Sequence, residues 1–91
     1  MDKQEKYINY VVDDLINKTE VDYGKKSFTT PFLQHNVEFN MFSFNTFSLK
    51  HSETFGLVFS KYVSNTYGVR GNEIKIVWGK YRTKIQRLIK K

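Results

Sequence analysis

Apolar residues recur at three- and four-residue spacing in three stretches of the chain, which is the pattern of an amphipathic α-helix. The pattern predicts helices over residues 3–18, 53–67 and 72–91. The most complete apolar stripe belongs to the last helix and consists of Ile74, Val77, Trp78, Tyr81, Ile85, Leu88 and Ile89. The first helix carries a stripe of Ile8, Val11, Val12, Leu15 and Ile16. Because each helix has one apolar side, we expect these stripes to form the core.

The pattern changes over residues 20–49. Val21 and Tyr23 alternate with polar residues, a Gly-Lys-Lys turn signal follows, and the next β-prone run stops at Pro31. Val37 and Phe39 then alternate with polar residues as in a half-buried strand, but the later phenylalanines fall on the other parity. This stretch predicts either a short β-hairpin, with two or three strands in all, or an irregular aromatic segment.

Residues at the predicted helix ends indicate where the helices begin and stop. Ser52 suits the N-cap of the second helix, and Gly68 suits its C-terminal end because glycine adopts the left-handed backbone freely. Arg70 and Asn72 are rival capping positions for the last helix. Gly79, inside that helix, costs about 1 kcal/mol relative to alanine, which we interpret as a sign of close helix packing.

Length and composition bound the fold. We expect one small domain over residues 1–91, of the α+β class and mainly helical, with eight Phe, six Tyr and one Trp supplying large apolar surfaces. The chain has no Cys, which excludes disulfides and thiolate metal sites. A polar N-terminus and the lack of a long apolar run favour a cytoplasmic protein with no signal peptide and no membrane partner.

The net charge of +6 resides in the last predicted helix. Residues 72–91 hold seven Lys and Arg against one acid, Glu73, whereas basic and acidic residues balance over residues 1–71. Cations at a helix C-terminus complement the helix dipole, which accounts for those from residue 87 onward. The earlier cations have no acid four residues away on either side. This surface is either solvated or meets an anionic partner.

Residues 60–79 resemble a helix-turn-helix motif. The resemblance rests on Val63, Ser64, Tyr67, Gly68, Val69, Ile74 and Val77, a small residue and a turn glycine among apolar positions. It implies that Arg70, Asn72, Glu73, Lys75 and Ile76 face the major groove, and that Lys80, Arg82 and Lys84 reach phosphates. An ordinary αα-hairpin satisfies the same spacing, and the last helix runs longer than a usual recognition helix.

The leading functional hypothesis is a small basic, non-enzymatic protein that binds nucleic acid or accompanies transcription, with DNA favoured over RNA. The predicted contacts for nucleic acid, or for an acidic protein partner, are Arg70, Asn72, Lys75, Lys80, Arg82, Lys84, Arg87, Lys90 and Lys91. The excess of Lys over Arg is typical of AT-rich coding, as in many phages, and is compatible with a viral accessory protein.

The alternative hypothesis is a protein-interaction or assembly component, such as an adaptor or a virion subunit. Its partner contacts would come from Phe39, Phe42, Phe44 and Phe47, while the basic helix holds an acidic partner. The same phenylalanines suit core packing, subunit contact in an oligomer, or a stacking platform for single-stranded nucleic acid. The sequence leaves these roles open.

Few residues suit catalysis or metal binding. His35 and His51 have no acid at ligand spacing, and the neighbouring Asp13 and Asp14 point about 100° apart on a helix. We therefore expect no enzymatic activity, no metal and no cofactor, and we interpret the two aspartates as a solvated acidic face.

Overall fold

The computed structural model describes residues 3–34, 36–39 and 49–90, with residues 49–55 described by their backbone. In chain order, the elements are α1 (Lys3–Asn17), β1 (Glu20–Asp22), β2 (Ser27–Thr29), β3 (Val37–Glu38), α2 (Leu49–Tyr67) and α3 (Asn72–Ile89). The described part thus contains three helices and a three-stranded antiparallel sheet. The predicted fold class, α+β and mainly helical, is confirmed.

The sheet is a meander with β2 between β1 and β3. β1 and β2 form the hairpin that the turn signal predicts, with Val21 opposite Phe28, and Phe28 also lies opposite Val37 of β3. In the connecting turn, the Lys25 N–H donates to Asp22 Oδ1 at 3.1 Å. Phe28 and Val37 are buried in the same core as the helices, so the sheet covers one side of that core.

The core draws apolar residues from all three helices, from β2 and β3, and from the connection between α2 and α3. Its buried members are Ile8, Val11, Val12, Leu15, Phe28, Val37, Phe59, Val63, Val69, Val77, Tyr81 and Ile85. Every residue of the two predicted apolar stripes, in α1 and in α3, is buried or half-buried. Because α3 packs along α1 more extensively than along α2, these two helices form the main layer of the structure.

Tyr81 lies at the centre of this core and has no exposed surface. Its ring centroid is 5.7 Å from that of Phe59 and 6.4 Å from that of Trp78. Its hydroxyl lies 2.9 Å from Thr19 Oγ1, and Thr19 Oγ1 in turn donates to the Leu15 carbonyl at 2.8 Å. Because a threonine hydroxyl has one proton, Tyr81 is the donor in the first bond. Burial raises the pKa of Tyr81, which keeps that donor protonated.

The end of α2 agrees with the sequence prediction, whereas its start does not. Gly68 adopts the left-handed conformation with φ of 70°, and its N–H donates to the Ser64 carbonyl at 3.0 Å, as in an αL cap. The helix begins at Leu49, so Ser52 lies inside it and the predicted N-cap is wrong. No helix-breaking residue separates Leu49 from Ser52, and a serine within a helix is tolerated at little cost.

The start of α3 is set by backbone groups. Gly71 is the N-cap, with φ of 61°, and no side chain among the described residues makes a capping hydrogen bond, so neither predicted cap is confirmed. The Glu73 N–H donates to the Arg70 carbonyl at 3.3 Å, and the Ile74 N–H donates to the Gly71 carbonyl at 3.2 Å. These two bonds satisfy donors that a capping side chain would otherwise accept from.

The surroundings of Gly79 show that the interpretation of this glycine as a sign of close helix packing is wrong. A Cβ built on this residue meets nothing within 4 Å, so the glycine is not required by close packing of a neighbouring helix in the described part. It lies on the exposed side of α3, and its carbonyl accepts a hydrogen bond from Thr83 Oγ1 at 2.9 Å. The open space means that a larger side chain would fit here.

Removing the Tyr81 hydroxyl and removing the Thr19 hydroxyl should reduce stability by different amounts. Tyr81→Phe removes one hydrogen bond but leaves Thr19 bonded to Leu15, so we expect the free energy of unfolding to fall by about 1 kcal/mol. Thr19→Val leaves the Tyr81 hydroxyl buried without this partner, and we expect a larger loss, up to about 3 kcal/mol. Urea denaturation measures both values. A Tyr81→Phe variant less stable than Thr19→Val would contradict the assigned bond.

Two glycines of α3 are expected to respond in opposite directions to alanine. Gly79→Ala should raise the free energy of unfolding by about 1 kcal/mol, because the site is helical and open. Gly71→Ala should lower it, because a positive φ of 61° is strained for any residue with a Cβ. Thermal denaturation measures the melting temperature of each variant. A change of the same sign in both variants would contradict the predicted opposite effects.

Candidate nucleic-acid interface

Because α3 turns its apolar stripe inward, a mainly polar stripe that includes one isoleucine is exposed along the opposite side. The exposed residues at three- and four-residue spacing are Asn72, Ile76, Gly79, Thr83, Arg87 and Lys90. We call this stripe the outer face of α3. A helix of 18 residues is about 27 Å long, so the outer face extends along the whole element. Lys75 is also exposed and lies beside this stripe.

An open groove runs between α1 and α3 and brings four of the predicted contact residues together. We call it the α1–α3 groove, and its lining residues are Asn9, Val12, Lys75, Ile76, Gly79, Lys80, Thr83, Lys84 and Arg87. The cations among them are Lys75, Lys80, Lys84 and Arg87. They are spread over about three turns of one helix, yet all border the same open surface. These four of the predicted contact residues therefore lie where one ligand could reach them together.

Two of these lysines have partners that the sequence interpretation did not identify. Lys80 Nζ donates to Asn9 Oδ1 at 2.8 Å, and Lys84 Nζ forms an ion pair with Asp13 Oδ1 at 2.5 Å. The absence of acids four residues away along α3 is correct, but the partners come from α1 instead. The acidic face of α1 at Asp13 is therefore paired and not merely solvated. These contacts hold both lysines over the α1–α3 groove.

The other predicted contact residues are placed elsewhere. The Arg82 guanidinium lies 5.6 Å from the centre of the Trp78 ring, a cation–π contact next to α2 and away from the α1–α3 groove. Arg70 is exposed in the connection between α2 and α3, and Lys90 is exposed at the end of α3. Lys91 lies outside the described residues.

The predicted aromatic contact segment is described only at its first residue. Phe39 is half-buried, with its ring centroid 6.2 Å from that of Tyr23 and 6.5 Å from that of Phe28. It therefore packs on the sheet at the edge of the core. The other members of the predicted segment, which are Phe42, Phe44 and Phe47, lie outside the described residues.

A second open groove, between α2 and α3, is largely apolar. We call it the α2–α3 groove, and its lining residues are Gly56, Leu57, Phe59, Ser60, Gly71, Ile74, Lys75 and Trp78. Leu57 leaves 73% of its surface exposed, more than any other large apolar residue of the described part. Leu57 lies on the side of α2 away from the buried Phe59 and Val63, which helical spacing in the sequence could have indicated.

Asp14 is the centre of a polar cluster that joins α1 to the end of α2. The Tyr67 hydroxyl donates to Asp14 Oδ2 at 2.5 Å, and Lys18 Nζ lies 3.0 Å from the same oxygen. These two hydrogen bonds, with Tyr67 the larger effect, hold the pKa of Asp14 below its ordinary value of 3.8. The Tyr7 hydroxyl donates to the Tyr67 carbonyl and adds a third link. Asp13 and Asp14 thus point to different partners, as their helical spacing predicts.

Two further properties concern only the part of the chain that the structure describes. Over those residues, no group of three or more His, Cys, Asp or Glu is arranged to hold a metal ion. None of the described helices combines the length and the apolar character needed to cross a membrane.

Comparisons with known proteins give no identification. No protein-family model, curated protein or solved structure matches the chain. Function is therefore inferred from the geometry and charge of the described residues.

The Asp14 cluster should make stability depend on pH in the acidic range. Because the folded pKa of Asp14 lies below 3.8, its contribution is present above that value and is lost as pH falls through the folded pKa. We expect Asp14→Asn to be less stable than the parent chain at about pH 7 and the difference to shrink towards about pH 2. Urea denaturation across this range measures it.

Tyr67→Phe is the matched variant, because it removes the hydrogen bond that lowers the pKa of Asp14 most but keeps Lys18. The difference in stability between Tyr67→Phe and the parent chain should also shrink towards low pH, but by less than for Asp14→Asn. A stability difference between Asp14→Asn and the parent chain that stays constant down to about pH 2 would contradict the assignment.

Proposed function

We propose that this protein is a small, non-enzymatic nucleic-acid-binding or transcription-associated accessory protein. Its phosphate-contact surface would be the outer face of α3 together with the α1–α3 groove. The observation that carries the proposal is the convergence of Lys75, Lys80, Lys84 and Arg87 on one open groove. Duplex DNA carries one negative charge per about 1.7 Å of its axis, so a linear array of cations on a helix suits it well.

The individual cations can play two different roles. Within the described residues, Lys75 and Arg87 make no ion pair, so their full charge is available to a partner. Lys80 and Lys84 each have three N–H donors, and the contacts to α1 use only one donor of each. Those contacts orient the two lysines and leave donors for phosphate oxygens. Twelve residues separate Lys75 from Arg87, or about 18 Å along the helix, which is long enough to reach several phosphates.

The connection between α2 and α3 also supports duplex DNA as the partner. Residues 68–71 join the two helices, with positive φ at Gly68 and Gly71. Arg70 and Asn72 are exposed at the start of α3, where a helix-turn-helix presents its contact residues. A helix that carries exposed cations and follows a tight turn is suited to the major groove, whose width is about 12 Å.

A second candidate function is that of a protein-assembly component, and the exposure of Leu57 favours it. The α2–α3 groove is apolar, has Lys75 in its lining, and contains Trp78 beside the guanidinium of Arg82. A partner with an apolar surface and acidic residues would complement both features. The two candidates share Lys75 but otherwise use different sides of α3, so Leu57 variants should leave nucleic-acid binding intact.

The nucleic-acid proposal is tested by removing the unpaired cations. Lys75→Gln with Arg87→Gln should weaken binding to a labelled duplex and reduce the slope of log affinity against log salt by about 2. The fold should persist, because both side chains are exposed. Fluorescence anisotropy titrations at several salt concentrations measure affinity and slope together.

The matched control is Lys25→Gln with Lys26→Gln, which removes the same charge from the exposed turn between β1 and β2. It should retain most of the affinity and the slope. Equal losses in both double variants would mean that only net charge matters and would contradict the assigned surface. No binding by the parent chain at low salt would favour the assembly function.

A further inference from the structure

An exposed isoleucine lies in the middle of the cationic surface. Ile76 leaves 46% of its surface exposed on the outer face of α3, and it lines the α1–α3 groove together with Lys75 and Lys80. One turn further on, Gly79 presents no side chain and has open space around it. The exposed part of Ile76 is therefore accessible to a partner that approaches α3 closely.

Asn72 lies one turn before Ile76 on the same face. Asparagine at the start of a helix commonly caps it, but here Gly71 is the N-cap and no described side chain makes a capping bond. Within the described residues the exposed Asn72 amide makes no hydrogen bond, so its donor and its acceptor are both available. Four residues of helix separate Asn72 from Ile76 by about 6 Å along the axis.

These two side chains match the chemistry of one kind of base pair. In the major groove, adenine presents an acceptor and a donor that an asparagine amide can bond together, and thymine presents a methyl group that an apolar side chain can contact. Successive base pairs are about 3.4 Å apart, so a separation of about 6 Å covers adjacent or next-nearest pairs. Phosphate contacts alone would carry no such sequence information.

We propose, on the basis of the phosphate-binding function above, that Asn72 and Ile76 read A·T base pairs in the major groove of duplex DNA. Asn72 hydrogen-bonds to adenine, and Ile76 packs against the methyl group of thymine. Lys75 and Arg87 bind phosphates on either side and fix the position of α3 in the groove. The absence of a side chain at Gly79 lets the helix approach the bases.

Three duplexes of equal length and equal charge test this proposal. The first alternates adenine and thymine, the second replaces every thymine with deoxyuridine, which lacks only the methyl group, and the third alternates guanine and cytosine. We expect the parent chain to bind the first duplex about fourfold more tightly than the second for each methyl group that is buried. We expect it to bind the first at least about tenfold more tightly than the third.

Two variants separate the two contacts. Ile76→Ala should bind the thymine and deoxyuridine duplexes with equal affinity while keeping the salt slope of the parent chain. Asn72→Ala should lose most of the preference over the guanine–cytosine duplex but keep the discrimination against deoxyuridine. The control is Leu57→Ala, which shortens an exposed apolar residue outside the outer face of α3 and should change neither ratio. Circular dichroism spectra check that each variant is folded.

The outcomes distinguish this proposal from the function on which it rests. Salt-dependent binding with equal affinity for all three duplexes would overturn base reading by Asn72 and Ile76 and would leave phosphate binding in place. Retained discrimination against deoxyuridine by Ile76→Ala would overturn the methyl contact. Failure to bind any duplex at low salt would overturn both proposals.

Discussion

The arrangement of the helices depends on the burial of one polar aromatic side chain, Tyr81. Its ring packs against Phe59 and Trp78, and its hydroxyl is satisfied by Thr19, two residues past the end of α1. A buried hydroxyl without a partner is costly, so this bond selects one rotation of α3 about its own axis. Because that rotation places Tyr81 inward, the outer face of α3 is directed to solvent. The candidate interface is thus a consequence of how the core is built.

Helix α1, which packs along α3, determines how the positive charge of α3 is presented. Its Asn9 and Asp13 hold Lys80 and Lys84 over the α1–α3 groove, while its Asp14 is engaged by Tyr67 and Lys18. An exposed ion pair contributes little to stability, so its main effect here is to position the lysine. The result is a surface on which Lys80 and Lys84 are oriented by α1, while Lys75 and Arg87 form no ion pair with any described residue.

Local sequence patterns were sufficient to predict α1, α3 and the β1–β2 hairpin. An element that is buried on one side has apolar residues at a regular spacing. The local patterns failed at Ser52, since capping preference cannot decide between two nearby starts when no breaker separates them. Long-range pairing also left no local signal: Asp13 and Lys84 are 71 positions apart. The exposure of Gly79 could have been predicted, because its position on the helix lies away from the apolar stripe. Spacing alone identified the cations but not which of them share a groove.

We propose that the outer face of α3 is the binding surface for duplex DNA. Amide chemical shifts of ¹⁵N-labelled protein, followed by NMR during titration with a short duplex, test it most directly. We expect the largest shift changes at Asn72, Ile76, Gly79 and Arg87, with small changes in the turn between β1 and β2. Changes centred on Leu57, or no changes at low salt, would contradict the claim.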